Sequence, residues 1–484
     1  MQFLRKAFFY IFLILYLISC PLLILYAFGY IFNPKSLELV QTGLMYLSSI
    51  PVQATVYIGK SRFREKTPAV LRELIPGNYS LKLILKDYLP WEQEVSIAAG
   101  KTLGFENVLL IPKNWKIQEL TQESFKEILF IPESDFLLLS GGPKMKDYSL
   151  YNLKDEKLLR LIPQYSHLAN ARVLSRFISK TSSGLIFHIE VQGVKKFIWL
   201  EPKEKKTKIK DITRLFPEAP LSLEWEANEK KYIFSIEKDA VNRIDIASMA
   251  IFPEYLEGLR GFGIDNKQIY SIDNDCTLSR LNYDKTNKET LYNNVFDDTL
   301  FAKNDFVQIK VFSKNIIVLL DKRGDCMVRY LAHSFRDKGI LGCEFDPATK
   351  KLLLWKKNAI GIFDFSNQQQ ESETARSELT PVWVYTAGEN ITECFWAVKG
   401  THIIFGDKEG AYLLEPESYG ASHSAFIALP KRDSPIFYSE ITGCLYYLDA
   451  QTSKLTSVEL VPRSYLELLL FPKTNKEASN GNKK

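Results

Sequence analysis

Histidine is scarce in this sequence and never clustered. Its five residues, His167, His188, His333, His402 and His423, lie far apart in a chain of 484. No H-x-x-x-H or H-E-x-x-H occurs, which excludes a helix-borne zinc site of the metalloprotease kind. Cysteine gives no metal site either. Cys20, Cys276, Cys326, Cys343, Cys394 and Cys444 contain no C-x-x-C, so neither a zinc knuckle nor a thioredoxin-type pair is indicated. They read as small buried hydrophobes in strands, with one bridge among the last five left open for an oxidising compartment. Also missing are G-x-S-x-G, a P-loop, a G-x-G-x-x-G that opens a helix, and the S-x-D-x-G-x-x-W box of sialidase-like folds. No catalytic, cofactor-binding or metal-ligating residue is therefore assigned, and no cofactor is expected. Strong charge is lacking too. The 62 Lys and Arg face 57 Asp and Glu, a net charge of +5 that is spread along the chain and argues for no nucleic-acid partner.

Long apolar runs are absent with one exception. Ala7 to Phe32 (AFFYIFLILYLISCPLLILYAFGYIF) holds 26 residues without a charge. At about 1.5 Å rise per residue, a helix of this length crosses a hydrocarbon core of about 30 Å. Tyr26, Phe28 and Tyr30 are placed for an outer aromatic belt. Arg5 and Lys6 precede the run and no basic cluster follows it, so the positive-inside rule places the N-terminus in the cytoplasm and the bulk of the chain outside. The run is too long for a cleaved signal peptide and no A-x-A-like site follows it. Leu17-Ile18-Ser19-Cys20 loosely resembles a lipobox, but the chain stays apolar beyond Cys20, where a processed lipoprotein turns polar. The expectation is an uncleaved single-pass anchor over 1–33, then a membrane-proximal linker over 34–49, within which Leu44–Leu47 is a candidate strand.

What the chain has in quantity is aromatic and β-branched material, with 24 Tyr and 31 Phe, which favours strands. The fold class expected is all-β. Residues 50–112 form a compact unit with its own turns. Ala54–Ile58, Tyr79–Leu85 and Trp91–Ile97 alternate as strands, and Gly104–Ile111 closes the unit. Thr67-Pro68 holds the chain extended. Ile75-Pro76-Gly77-Asn78 reads as a type II turn. Pro51, Ala54, Val56, Tyr57, Thr67, Pro68, Leu74, Pro76, Gly77, Tyr79, Tyr88 and Trp91 fall in the order of the PEGA domain pattern, and the segment resembles that family. Gln53 and Asp87 depart from it, since the family carries glycine at both places. The resemblance implies a small β-sandwich of a bacterial or archaeal surface protein and no catalytic group. Trp91 and Tyr79 are read as packed core rather than as a ligand platform.

From 113 to 472 short strands recur without a convincing long helix. The marker is an apolar strand, beginning at Phe136, Leu185, Tyr232, Gln268, Ile316, Leu352, His402 and Leu445, in steps of 49, 47, 36, 48, 36, 50 and 43. A first strand such as SLEW, GCEF or TECFW precedes it, and a hairpin and two further strands follow. This rhythm predicts a β-propeller of seven or eight blades, seven if two units merge or if the first and last share a blade. The two steps of 36 fit least well. Asp273, Asp275, Asp321 and Asp325 are read as turn residues, and Arg323-Gly324-Asp325 as a hairpin rather than an adhesion tripeptide. Asn367–Ser377 is expected as an exposed loop and 473–484 as a disordered tail.

These readings give a membrane-tethered, extracytoplasmic, non-catalytic binding or scaffold protein of the cell envelope. Its expected partners are the membrane and an envelope protein or cell-wall glycan. The alternative is an envelope hydrolase or lyase acting on a glycan from the propeller channel, which would require acidic or histidine side chains to converge there.

Overall fold

The computed structural model describes residues 2–33, 38–132, 134–162, 166–179, 184–202, 207–226, 232–237, 240–265, 268–295, 301, 306–331, 333–366, 379–386, 390–416 and 423–470. The loop expected at Asn367–Ser377 and the tail expected at 473–484 lie outside them. The chain divides into two compact units: residues 1–116 with 417–423 and 460–484, and residues 117–416 with 424–459.

The first unit begins with a helix, Gln2–Ala27, that carries Pro21 inside it. Its stretch Phe8–Ala27 is long and apolar enough to cross a membrane and fits a membrane anchor. The last part of the apolar run is not helical. Gly29 takes φ +78°, and Tyr30–Asn33 pairs antiparallel with Glu38–Gln41 as a hairpin. The sandwich follows in two sheets. One, in spatial order, is Ala69–Leu74, Gly43–Ile50, Thr102–Leu109. The other is Ser61–Lys66, Thr55–Ile58, Gly77–Ile84, Trp91–Ile97. Their inner faces share a core that includes Met45, Leu47, Val56, Leu71, Leu81, Leu83, Trp91 and Val95.

Three expectations are corrected here. The linker over 34–49 is largely strand, and Gly43–Ile50 is the central strand of its sheet, antiparallel to one neighbour and parallel to the other. Its faces are both substantially covered, so GLMYLSSI lacks the polar alternation that marks a half-exposed strand. The anchor over 1–33 ends its helix at Ala27. The turn at Pro76-Gly77 is not type II: Gly77 has φ +156° rather than the roughly +80° of that turn, and it opens a strand. Gln53 and Asp87, which stand where the family carries glycine, have φ +73° and +68°, so this chain places side chains where the backbone favours none.

The second unit is a β-propeller. Its described strands make eight four-stranded antiparallel sets, and each apolar marker is the second strand of a set: Phe136–Ser140, Leu185–Val191, Tyr232–Ile236, Gln268–Asp273, Ile316–Leu320, Lys351–Lys356, His402–Gly406 and Cys444–Leu448. We number the sets one to eight in that order. Second strands are covered on both faces, which is why they read as continuous apolar runs. Fourth strands such as Lys208–Asp211 and Val382–Thr386 are largely exposed and read as polar or irregular. The two steps of 36 now have a cause. Set three passes into set four through Gly258 alone, and set five into set six through Lys338-Gly339. Both glycines are left-handed, at φ +64° and +74°.

The ends of the ring meet in set eight, whose outermost strand is Lys116–Ser124 from the beginning of the ring. The Phe125 N–H donates to Ser453 O (2.7 Å), the Leu455 N–H to Thr121 Oγ1 (3.1 Å), and Lys454 pairs with Glu119 (2.8 Å). The Phe130 and Phe437 rings stack with centroids 3.8 Å apart, joining set one to set eight. First and last segments therefore share a set, and Lys116–Ser124 is additional to the four described strands of set one.

Candidate functional site on the first strands

First strands of different sets are joined by a recurring group of bonds, as expected of strands that line a ring's centre. Sets four and five meet by backbone. Leu259–Asp265 pairs parallel with Val307–Ser313, in register Gly261 to Val307 and Phe262 to Gln308, and merges two sets into one eight-stranded sheet. Glycine permits this approach, because a Cβ at Gly263 would stand 2.0 Å from Ile309 O. Glu224 of set three reaches Gln308 of set five, whose amide donates at 3.3 Å, and Lys310 Nζ donates to Cys343 O of set six at 3.4 Å.

Sets six to eight meet by carboxylate. Glu344 accepts the Trp396 N–H of set seven, and Glu393 accepts the Ile436 N–H that leads into set eight, both at 2.8 Å. Glu440 reaches back from set eight to accept the Lys399 N–H, also at 2.8 Å. Burial pushes the Glu344 and Glu393 carboxyls up to about 7, against the pull of the donated N–H groups. Glu440 is raised for the same reason. The chemical capacity is that of carboxyls titrating near neutrality, each already engaged by a backbone donor. These three were not singled out as site residues from the sequence. A signal was present for two of them: GCEF and TECFW carry Glu344 and Glu393 as the one charged residue of a largely apolar first strand, as SLEW carries Glu224.

The residues weighed from sequence fall into structural places. Asp273 ends a second strand, and Asp321, Asp407 and Asp449 each follow one; all accept N–H groups of their own hairpins, as in Thr277 N–H to Asp273 Oδ1 at 2.9 Å. The Arg323 guanidinium lies against both Asp321 and Asp325, 2.8 Å from the latter, and the two aspartates are buried. The Arg-Gly-Asp sequence is thus closed on itself around Gly324 at φ +86°. His188 stacks on Phe197 at 4.3 Å, and buried His402 is lowered to about 4 by burial. Trp91 packs edge-on against Phe105 at 5.7 Å, and Tyr79 OH donates to Ile75 O at 2.7 Å. Among the described residues no three His, Cys, Asp or Glu side chains group as a metal site. Arg243 lies 4.5 to 4.8 Å from the ring centroids of Tyr232, Phe252 and Tyr255, so this aromatic cage already holds a cation of its own chain.

Comparison with known proteins gives the following. No curated protein matches the chain. Solved structures similar to it include the β-propeller domain of Myceliophteria thermophila Cps50 (Swd1), at 10% identity and TM-score 0.40, covering 72% of this chain and 99% of that one. Another is the computationally designed protein Ika8, at 11% identity and TM-score 0.41, covering 71% and 99%. Among family models, that of the PEGA domain matches residues 42–110, which brings Gly43–Ile50 inside the domain.

Proposed function

We propose that this protein is a membrane-tethered, extracytoplasmic and non-catalytic binding or scaffold protein of the cell envelope, whose propeller loops engage an envelope protein or a cell-wall glycan. The observation that carries the non-catalytic part is the use of the first-strand glutamates. Glu344, Glu393 and Glu440 each hold a backbone N–H of a neighbouring set, the work of a clamp between blades rather than of a free acid and base. The membrane part is supported by the Phe8–Ala27 helix, and the outward placement by the Arg5-Lys6 flank and the PEGA match. Protease added to intact spheroplasts tests the placement: the propeller is degraded while a cytoplasmic marker survives. Full protection overturns it. A pull-down from envelope extract with residues 38–484 then identifies the partner.

A second reading, a glycan hydrolase or lyase, draws on the near-neutral carboxyls of Glu344 and Glu393. It requires turnover of cell-wall glycan that is lost in Glu344→Gln or Glu393→Gln while the fold survives.

A further inference from the structure

The chain leaves the anchor helix through a hairpin that is pinned at its base. The Thr42 N–H and its hydroxyl both donate to Gly29 O at 2.8 Å, and Gln41 Nε2 to Phe28 O at 3.4 Å. Tyr26 OH donates to Glu73 Oε1 of the sandwich at 3.0 Å. Thr42 then runs directly into the central strand Gly43–Ile50. Two of the hairpin's opposed residues, Phe32 and Leu39, are direct cross-strand partners and therefore point to the same face. They are 58% and 51% exposed, and Phe28, at the hairpin's base, is 69% exposed. A two-stranded hairpin is marginal in water, and one with an uncovered apolar face more so. This one starts three residues beyond a span that ends at Ala27, so its exposed apolar residues follow the exposed apolar surface of the helix directly in the chain.

We propose that the Tyr30–Asn33/Glu38–Gln41 hairpin lies in the headgroup–acyl boundary of the membrane the helix crosses. Phe28, Phe32 and Leu39 enter the lipid there, and the sandwich is held at fixed height by the bonds at the hairpin base. The phospholipid surface is the occupant because the hairpin follows the span directly in the chain, and aromatic side chains favour that depth. The inference rests on the membrane-tether reading.

The test uses the full chain in phosphatidylcholine–phosphatidylglycerol vesicles, with Cys20→Ser and Cys276→Ser as background, since the other four cysteines are buried. A nitroxide is attached at Phe32→Cys or Leu39→Cys, with Leu22→Cys in the span and Val382→Cys on an exposed propeller strand as references. Collision with oxygen and with a water-soluble nickel chelate is read by electron paramagnetic resonance. The expected result is nickel accessibility several-fold below that at Val382, with oxygen accessibility raised toward that at Leu22. Nickel accessibility equal to that at Val382 overturns the proposal while leaving the anchor intact. Spin–spin broadening that grows with the protein-to-lipid ratio overturns it in favour of a second copy on this face. Nickel access at Leu22 itself overturns the tether reading and this inference with it.

Discussion

Sets four and five, and sets six to eight, close the same ring by different chemistry. In the first arc two backbones bond directly, and the requirement is an absence of side chains at Gly261 and Gly263. In the second the first strands are bridged by a side chain long enough to reach a backbone donor, and the requirement is a carboxyl kept partly out of water. The first solution is indifferent to pH and intolerant of volume. The second tolerates wider spacing and carries a titration. A ring assembled from one repeat is therefore not uniform: its parts fail under different stresses.

The sharpest way to break the first arc is Gly263→Val. A Cβ there meets a backbone carbonyl, not a flexible side-chain end, so the strands must part. The expected cost is about 3 kcal/mol, at the upper end for overpacking, read as a lowered melting temperature of the propeller transition. An unchanged transition would show that these strands are not paired at Ile309. The second arc is probed by Glu393→Gln. A carboxyl held at about 7 in the fold and 4.5 otherwise keeps a proton that the unfolded chain has lost. Stability consequently falls as pH rises from about 4.5 through about 7 and levels beyond it. Glutamine keeps the acceptor and removes the titration. The variant should match the parent at about pH 4.5 and exceed it above about pH 7, by less than ~3 kcal/mol. His402, neutral in the fold down to about 4, loses stability in the opposite direction, as pH falls from 6.5, and cancels in the difference. A pH-independent difference by calorimetry would remove the titrating clamp.

The smallest effect sharpens the role of glycine from the other side. Gln53→Gly installs the residue that a φ of +73° favours, and should stabilise the sandwich by about 0.5 kcal/mol after glycine's own entropy cost. Asp87→Gly should gain less, since aspartate tolerates the left-handed region better. Thermal melts of the two variants rank them, and a larger gain at Asp87 would contradict the argument.

The sequence made second strands legible because burial on both faces leaves an apolar run that needs no neighbour to interpret. The strand Gly43–Ile50 is covered in the same way, yet its nearness to the membrane run leaves only Leu44–Leu47 legible as a strand within an apparent linker. That first and last segments could share a blade was legible, but Lys116–Ser124 as the closing strand was not, since an exposed outer strand carries polar residues and its partner lies more than 300 positions away. Glu344 and Glu393 sat within strands already recognised, but one carboxyl per strand acquires meaning only when the N–H it meets in the next set is known.

The outer strand that completes set eight leaves the ribosome before any other part of the ring. Its partners at Lys454 and Leu455 follow 335 and 334 residues later. Until then set eight cannot form and the ring has an open edge. Contacts of such separation are slow to form because a large loop must close first. The interval between synthesis of the first strand and arrival of the last is thus a period in which apolar sheet faces wait uncovered, and the cell must bridge it by timing or by protection.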